Sequence, residues 1–146
     1  LGAVSLNRLA YGAEVQIEPG PLDDFLLVQM PLAGHAQIHC GQQQILSDRD
    51  MASVLTPSDP VRMRWSHDSD QLIVRVERGA LERVCAAHLG HRSQAPLRFE
   101  LGMGWRRLAA WYQLMHYLAD LLALAPVGRS VRSLCACRFE CCERPT

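Results

Sequence analysis

The chain has 146 residues, 49% hydrophobic and 21% charged, with 15 basic and 15 acidic side chains. That length holds one domain with an adequate core and little room for a second, and the composition excludes disorder. Zero net charge excludes a global basic field that would draw the chain onto nucleic acid or an anionic membrane, and the absence of any long apolar run excludes a membrane-spanning helix. The opening residues Leu1-Gly2-Ala3-Val4-Ser5-Leu6 lack the basic and extended apolar regions of a secretory signal. A leading Leu suggests a piece of a longer chain. Every basic residue is Arg, which reads as the codon bias of a GC-rich genome. Of the 6 cysteines, Cys40 and Cys85 stand alone in apolar contexts and the rest crowd the C-terminal end. A secreted disulfide scaffold distributes its cysteines through the fold, so a reducing cytoplasm is the expected location.

In chain order, Val4 to Tyr11 predicts a strand broken by Gly12, and Ala13 to Glu18 a second, with Val15 and Ile17 on one face. Pro19-Gly20-Pro21 is a turn. Phe25 to Met30 is a nearly continuous apolar run, the pattern of a buried central strand, bounded by Pro31 and Gly34. His35 to Cys40 alternates, with Ala36, Ile38 and Cys40 on one face and His35, Gln37 and His39 on the other. Gln42 to Leu46 and Met51 to Leu55 follow as short strands. After the turn Thr56-Pro57-Ser58-Asp59-Pro60, the segment Val61 to Trp65 places Val61, Met63 and Trp65 inward and Arg62 and Arg64 outward. Gln71 to Val76 is the last predicted strand. Short strands with closely spaced turns indicate a sandwich or barrel. The period then changes. Leu81, Val84, Cys85 and His88 have helical spacing, with Gly90 at the helix end. Gln94 to Phe99 is irregular, and Gly104 to Ala125 predicts a long helix stopped by Pro126.

That helix carries more apolar surface than its own domain can cover. Arg106, Ala109, Gln113, His116 and Asp120 form one polar stripe, and apolar side chains, interrupted only by Arg107, fill the remaining arc of roughly 240°, where a helix lying on a single core needs little more than about 100°. Two covers are open: the first helix together with the tail, or a second copy of the chain. In a homodimer, Leu114, Tyr117, Leu121 and Leu124 would face the partner.

Few residues suggest reaction chemistry. His35 and His39 share a strand face but lie roughly 13 Å apart along it, too far for one zinc ion, whose ligands sit about 2 Å away. A metal site would need further ligands such as His67 or Glu77. Cys135, Cys137, Cys141 and Cys142 lack the paired spacing of a zinc site. No nucleophile elbow, phosphate loop or supported Cys/His pair occurs, and the Asp23-Asp24 and Asp48/Asp50 carboxylates read as turn formers. No catalytic residue, metal ligand or cofactor is therefore assigned. A ligand pocket inside the sandwich is the better reading. Met30, Met63 and Trp65 would give an adaptable apolar lining and Tyr11 a polar tip. Arg64, or alternatively Arg62 or Arg75, would meet a carboxylate if turned toward the mouth.

Tyr11-Gly12-Ala13, Phe25 to Gly34, Leu55-Thr56-Pro57, Arg64-Trp65-Ser66 and Gln71 to Val76, taken as an ordered set, resemble the N-terminal effector-binding domain of AraC-type (XylS-like) transcription regulators. The resemblance runs over roughly residues 6–134. It implies a mainly β fold, a cupin-like sandwich or barrel followed by two dimerising helices, a small-molecule effector, and DNA binding through a separate pair of helix-turn-helix units that this chain lacks. The expected organisation is a sandwich over residues 1–78, a helical dimerisation region over 79–125 and an irregular Cys/Arg-rich tail over 126–146. The expected function is a cytoplasmic, non-enzymatic regulatory domain that by itself binds neither nucleic acid nor membrane. A metal-dependent cupin enzyme is the alternative.

Overall fold

Alternation decides the inner wall of the body. Strands β4 (Ala36–Cys40) and β7 (Val61–Trp65) each bury every first, third and fifth side chain and turn the others outward. They pair antiparallel between β2 (Val15–Ile17) and β5 (Gln43–Ser47), giving a four-stranded sheet in the order β2-β7-β4-β5. The continuous run β3 (Phe25–Ala33) is buried on both faces from Leu26 to Pro31, as a strand covered on both sides must be. It lies in the middle of a second antiparallel sheet with β1 (Val4–Ala10), β6 (Met51–Leu55) and β8 (Asp70–Glu77). The computed structural model describes residues 2–124. Its remaining elements are α1 (Arg78–Leu89), β9 (Gly102–Gly104) and α2 (Ala109–Leu124).

The two sheets enclose one core, which includes Ile17, Leu27, Ile38, Cys40, Leu55, Met63, Trp65 and Leu101. A second core fills the space between the outer face of the larger sheet and the helices. It is built from Leu26, Val28, Met30, Val54, Leu72 and Val74 on the strands and Tyr112 and Met115 on α2. The mainly β sandwich with two C-terminal helices is the architecture the sequence predicts.

Three local expectations need correction. Pro31 does not bound β3 but lies within it, where the pairing with β8 shifts register between Pro31 and Ala33. The pairing of β3 with β6 has already ended at Gln29, so a residue without an N–H is tolerated there. Second, the chain after Glu77 is not purely helical. It returns to the larger sheet as β9, antiparallel to β6, and completes the order β1-β8-β3-β6-β9. Third, α2 begins at Ala109 and not at Gly104. Gly102 and Gly104 flank Met103 in the strand, and a Cβ at Gly102 would meet the Met51 sulfur at 3.1 Å. Small residues at this edge permit the close approach.

The return segment is fastened by side chains as well as by backbone. Gln43 Oε1 accepts from Leu101 N–H at 2.9 Å, and Val54 N–H donates to the Leu101 carbonyl at 2.8 Å. Leu101 is 1% exposed and closes the gap between the two sheets beside β5 and β6. Residues 126–146, with the Cys-rich tail, lie outside the described residues.

Candidate functional site

The inward face of the larger sheet is not uniformly apolar. Alternation places Leu27 and Leu55 inward, so Gln29 on β3 and Ser53 on β6 face the same way, and they sit directly opposite each other in the pairing register. Gln71 on β8 belongs to that face too, diagonal to Gln29 across the paired Gln29–Ile73 and Pro31–Gln71 positions. All three are at most 2% exposed. The Gln71 amide donates to Ser69 Oγ at 3.0 Å, which leaves Gln71 Oε1 without a partner. Gln29 Oε1 and Ser53 Oγ are likewise unpartnered, and so is Trp65 Nε1 on the opposing sheet. Natural cores leave few buried polar atoms unpaired, and each costs about 1–3 kcal/mol in that state. Four such atoms lie on the faces that enclose the sandwich interior, one donor and three acceptors or hydroxyl oxygens.

The residues expected from sequence fall in three places. Tyr11, Met63 and Trp65 meet inside the sandwich. Tyr11 packs edge-on against Trp65 with ring centroids 5.5 Å apart, and Met63 is buried beside them in the same core. Met30 is buried on the opposite face of β3, in the core under α2, because its position has the other parity from Leu27. Arg64 points out of the sandwich and is ion-paired with Glu14, and Arg62 is paired similarly with Glu18. Arg75 differs from both. It is half-buried on the inward face of β8, with its guanidinium carbon 4.5 Å from the centre of the Phe25 ring. Gln29, Ser53 and Gln71 were not singled out from sequence. The available signal was a glutamine inside the apolar run Phe25-Leu26-Leu27-Val28-Gln29-Met30, since a buried strand accepts an amide there only against an energetic cost.

Ionisation is perturbed at few points. Burial pushes the Cys40 thiol up, which keeps it protonated and unreactive. Burial also pushes the Tyr112 phenol up. At the surface, the hydrogen bond and charge of Arg8 hold the Asp70 carboxyl down, and the same pair raises Arg8. The Ser66 hydroxyl lowers Asp68 by donating to it. No group of three or more His, Cys, Asp or Glu side chains placed to hold a metal occurs among the described residues.

A separate groove of about 800 Å³ lies outside the sandwich, where α2 meets the β5–β6 turn and Trp105. Its walls include Asp50, Trp105, Tyr112, His116 and Tyr117. The unpartnered polar atoms of the interior do not open into it. It continues instead into the exposed face of α2, where Leu114, Tyr117 and Leu121 are 50%, 60% and 44% exposed. The side chain of Leu124 lies outside what is described. No helix among the described residues is long and apolar enough to cross a membrane.

One linkage joins α2 to the sandwich. The Tyr112 hydroxyl accepts from the buried Ala52 N–H at 2.8 Å and donates to the Met103 carbonyl at 2.9 Å. The helix thereby grips β6 and β9 together, one residue from Ser53.

Comparison with known proteins bears on this arrangement. A protein of Rhodococcus erythropolis described as a probable thc operon regulatory protein is 26% identical over 145 residues, covering 92% of this chain and 44% of that protein. The chain thus spans less than half the length of that relative. No solved structure matches. The AraC-binding-like domain family matches residues 1–141. A double-sheet body with trailing helices, matched over nearly its whole length, belongs to the AraC-binding-like domain family and is a regulatory domain of the AraC type.

Proposed function

We propose that the chain senses a small effector inside its sandwich and presents α2 as a homodimer contact, without catalysing a reaction. One observation carries the sensing role: Gln29 Oε1, Ser53 Oγ, Gln71 Oε1 and Trp65 Nε1 are buried, unpartnered and arranged around one interior. Such atoms take hydrogen bonds from a ligand or an ordered water. Tyr11, Met63 and Trp65 supply apolar and aromatic wall, and the methionine can repack around a guest. Two neutral amides, a hydroxyl and an indole offer no general base, which fits binding better than turnover.

The output runs through β6. A ligand held at Ser53 shifts or stiffens that strand, and the preceding residue, Ala52, is hydrogen-bonded to Tyr112 of α2. An effector with different affinities for two settings of this linkage changes how α2 is displayed. The exposed row Leu114, Tyr117 and Leu121 supports a second copy as the partner. In the full-length regulator, we infer, this display governs DNA-binding units elsewhere in the polypeptide, and the protein works in the cytoplasm.

The test is a thermal-shift screen of small metabolites, in which a ligand at about 100 times its dissociation constant adds about 2.7 kcal/mol. Ser53→Ala is the diagnostic variant. Removing an unpartnered buried hydroxyl should leave the free protein equally stable, or more stable by about 1 kcal/mol, while weakening ligand binding. Stabilising compounds whose effect survives Ser53→Ala and Gln71→Leu unchanged would place the ligand elsewhere and sink the interior site.

A further inference from the structure

We infer that the effector is a small carboxylate, anchored on Arg75 at one end of the sandwich with its far end among Gln29 and Ser53; this rests on the interior sensing site proposed above. Among the arginines that lie on the sandwich strands, three are neutralised on outer faces: Arg8 by Asp70, Arg62 by Glu18 and Arg64 by Glu14. Arg75 alone in this set faces inward. Its β8 neighbours on that face are Ile73 and Glu77, and its cross-strand partners are Ser5 and Leu27. Glu77 is exposed and makes no ion pair with it, nor does any other carboxylate among the described residues.

The Phe25 ring under the guanidinium stabilises its charge through the π face but accepts none of its five N–H donors. A half-buried guanidinium with its fork unfilled is the usual receptor for a planar carboxylate, which it grips through two parallel hydrogen bonds. Across the sheet, Arg75 pairs with Leu27 and Ile73 pairs with Gln29, so Arg75 and Gln29 are diagonal neighbours about 7–8 Å apart. Ser53 lies one strand further along that line. A carboxylate on Arg75 therefore directs the rest of a small molecule over Leu27 and Ile73 toward the unpartnered Gln29 and Ser53 oxygens. Met63 and Trp65 face this line from the other sheet. Phe25 at one end and Tyr11 with Trp65 at the other favour a ring or short alkyl chain between the polar ends.

The experiment uses matched pairs that differ only in charge at the anchor: benzoate and benzamide, 4-hydroxybenzoate and 4-hydroxybenzamide, phenylacetate and phenylacetamide, hexanoate and hexanamide. Thermal shift and calorimetry on the full chain should find at least one acid that binds while its amide does not. That binding should weaken about ten- to a hundredfold in Arg75→Gln and stay unchanged in the outer-face control Arg64→Gln. If Arg75→Gln fails to fold, Arg75→Lys replaces it, since it keeps the charge, loses the fork and should still weaken the acid. Amides that bind as tightly as their acids, or acid binding indifferent to Arg75, would overturn the carboxylate anchor while leaving an interior site. Silence from every acid, with neutral compounds of the wider metabolite screen binding in a Ser53-dependent way, would likewise overturn the anchor alone. Silence from every compound in both experiments would overturn the anchor and the sensing role together.

Discussion

Gly34 shows how tightly a single position can be set. It makes the turn between β3 and β4 with φ +69°, and a Cβ built there would lie 2.6 Å from Ser66 Oγ and 2.7 Å from the Ser69 backbone. The same corner is tied by Ser66, whose hydroxyl accepts from His35 N–H and whose own N–H donates to the His35 carbonyl. Backbone atoms cannot step aside as a flexible side chain would. Gly34→Ala should therefore destabilise by at least about 2 kcal/mol, from the left-handed conformation and the clash combined, and chemical denaturation should show a lower midpoint with unchanged slope. The neighbouring Gln71 Oε1 and Trp65 Nε1 behave in the opposite sense. They are costs the folded state carries, which a ligand in the proposed interior site would offset.

At the scale of elements, Tyr112 joins a helix to two strands. Tyr112→Phe keeps the ring in the outer core but leaves the buried Ala52 N–H unsatisfied. The expected loss is about 1–3 kcal/mol. Hydrogen exchange should localise it, with protection falling at Ala52 and along β9 while β4 and β7 stay protected; a uniform loss would contradict the local linkage. Elements of this kind were unevenly legible in the sequence. Val61–Trp65 could be read to the residue and Ala36–Cys40 to within one, His35 having been included, because one buried face makes the alternation visible. In Phe25–Ala33 both faces are buried, so hydrophobicity carries no parity, and Met30 reads as a companion of Met63 although β3 turns Met30 into the core under α2 and β7 turns Met63 into the core between the sheets. Gly102-Met103-Gly104 was hidden for another reason. A three-residue strand has too few positions to show a period, and its pairing with β6 is fixed by Gln43 and Val54, far away in sequence. The polar interior was half legible. Trp65 and Tyr11 stood out as aromatics, while Gln29 and Ser53 gained meaning only once the register set them side by side.

For the whole molecule, the question is what covers the outer face of α2. One side of the helix is spent on the second core through Trp111, Tyr112, Met115 and Leu118. Leu114, Tyr117 and Leu121 recur at helical spacing on the other side and are exposed. Leu121→Glu should leave the fold intact, since the side chain touches neither core, and should halve the mass measured in solution if α2 pairs with a second copy. An unchanged mass with an intact fold would remove α2 from the dimer contact. The return of the chain through β9 has a practical consequence for rebuilding such a protein. The sensing body does not end where its eighth strand ends. A graft cut after Glu77 would strip β9 from β6, take Leu101 out of the interior and bare a row of backbone donors and acceptors that another polypeptide would annex. The smallest transplantable cassette is therefore the sandwich together with α1, β9 and α2, whose Tyr112 and Met115 complete the second core, and any chimera that swaps specificity between regulators of this build should recombine beyond that helix.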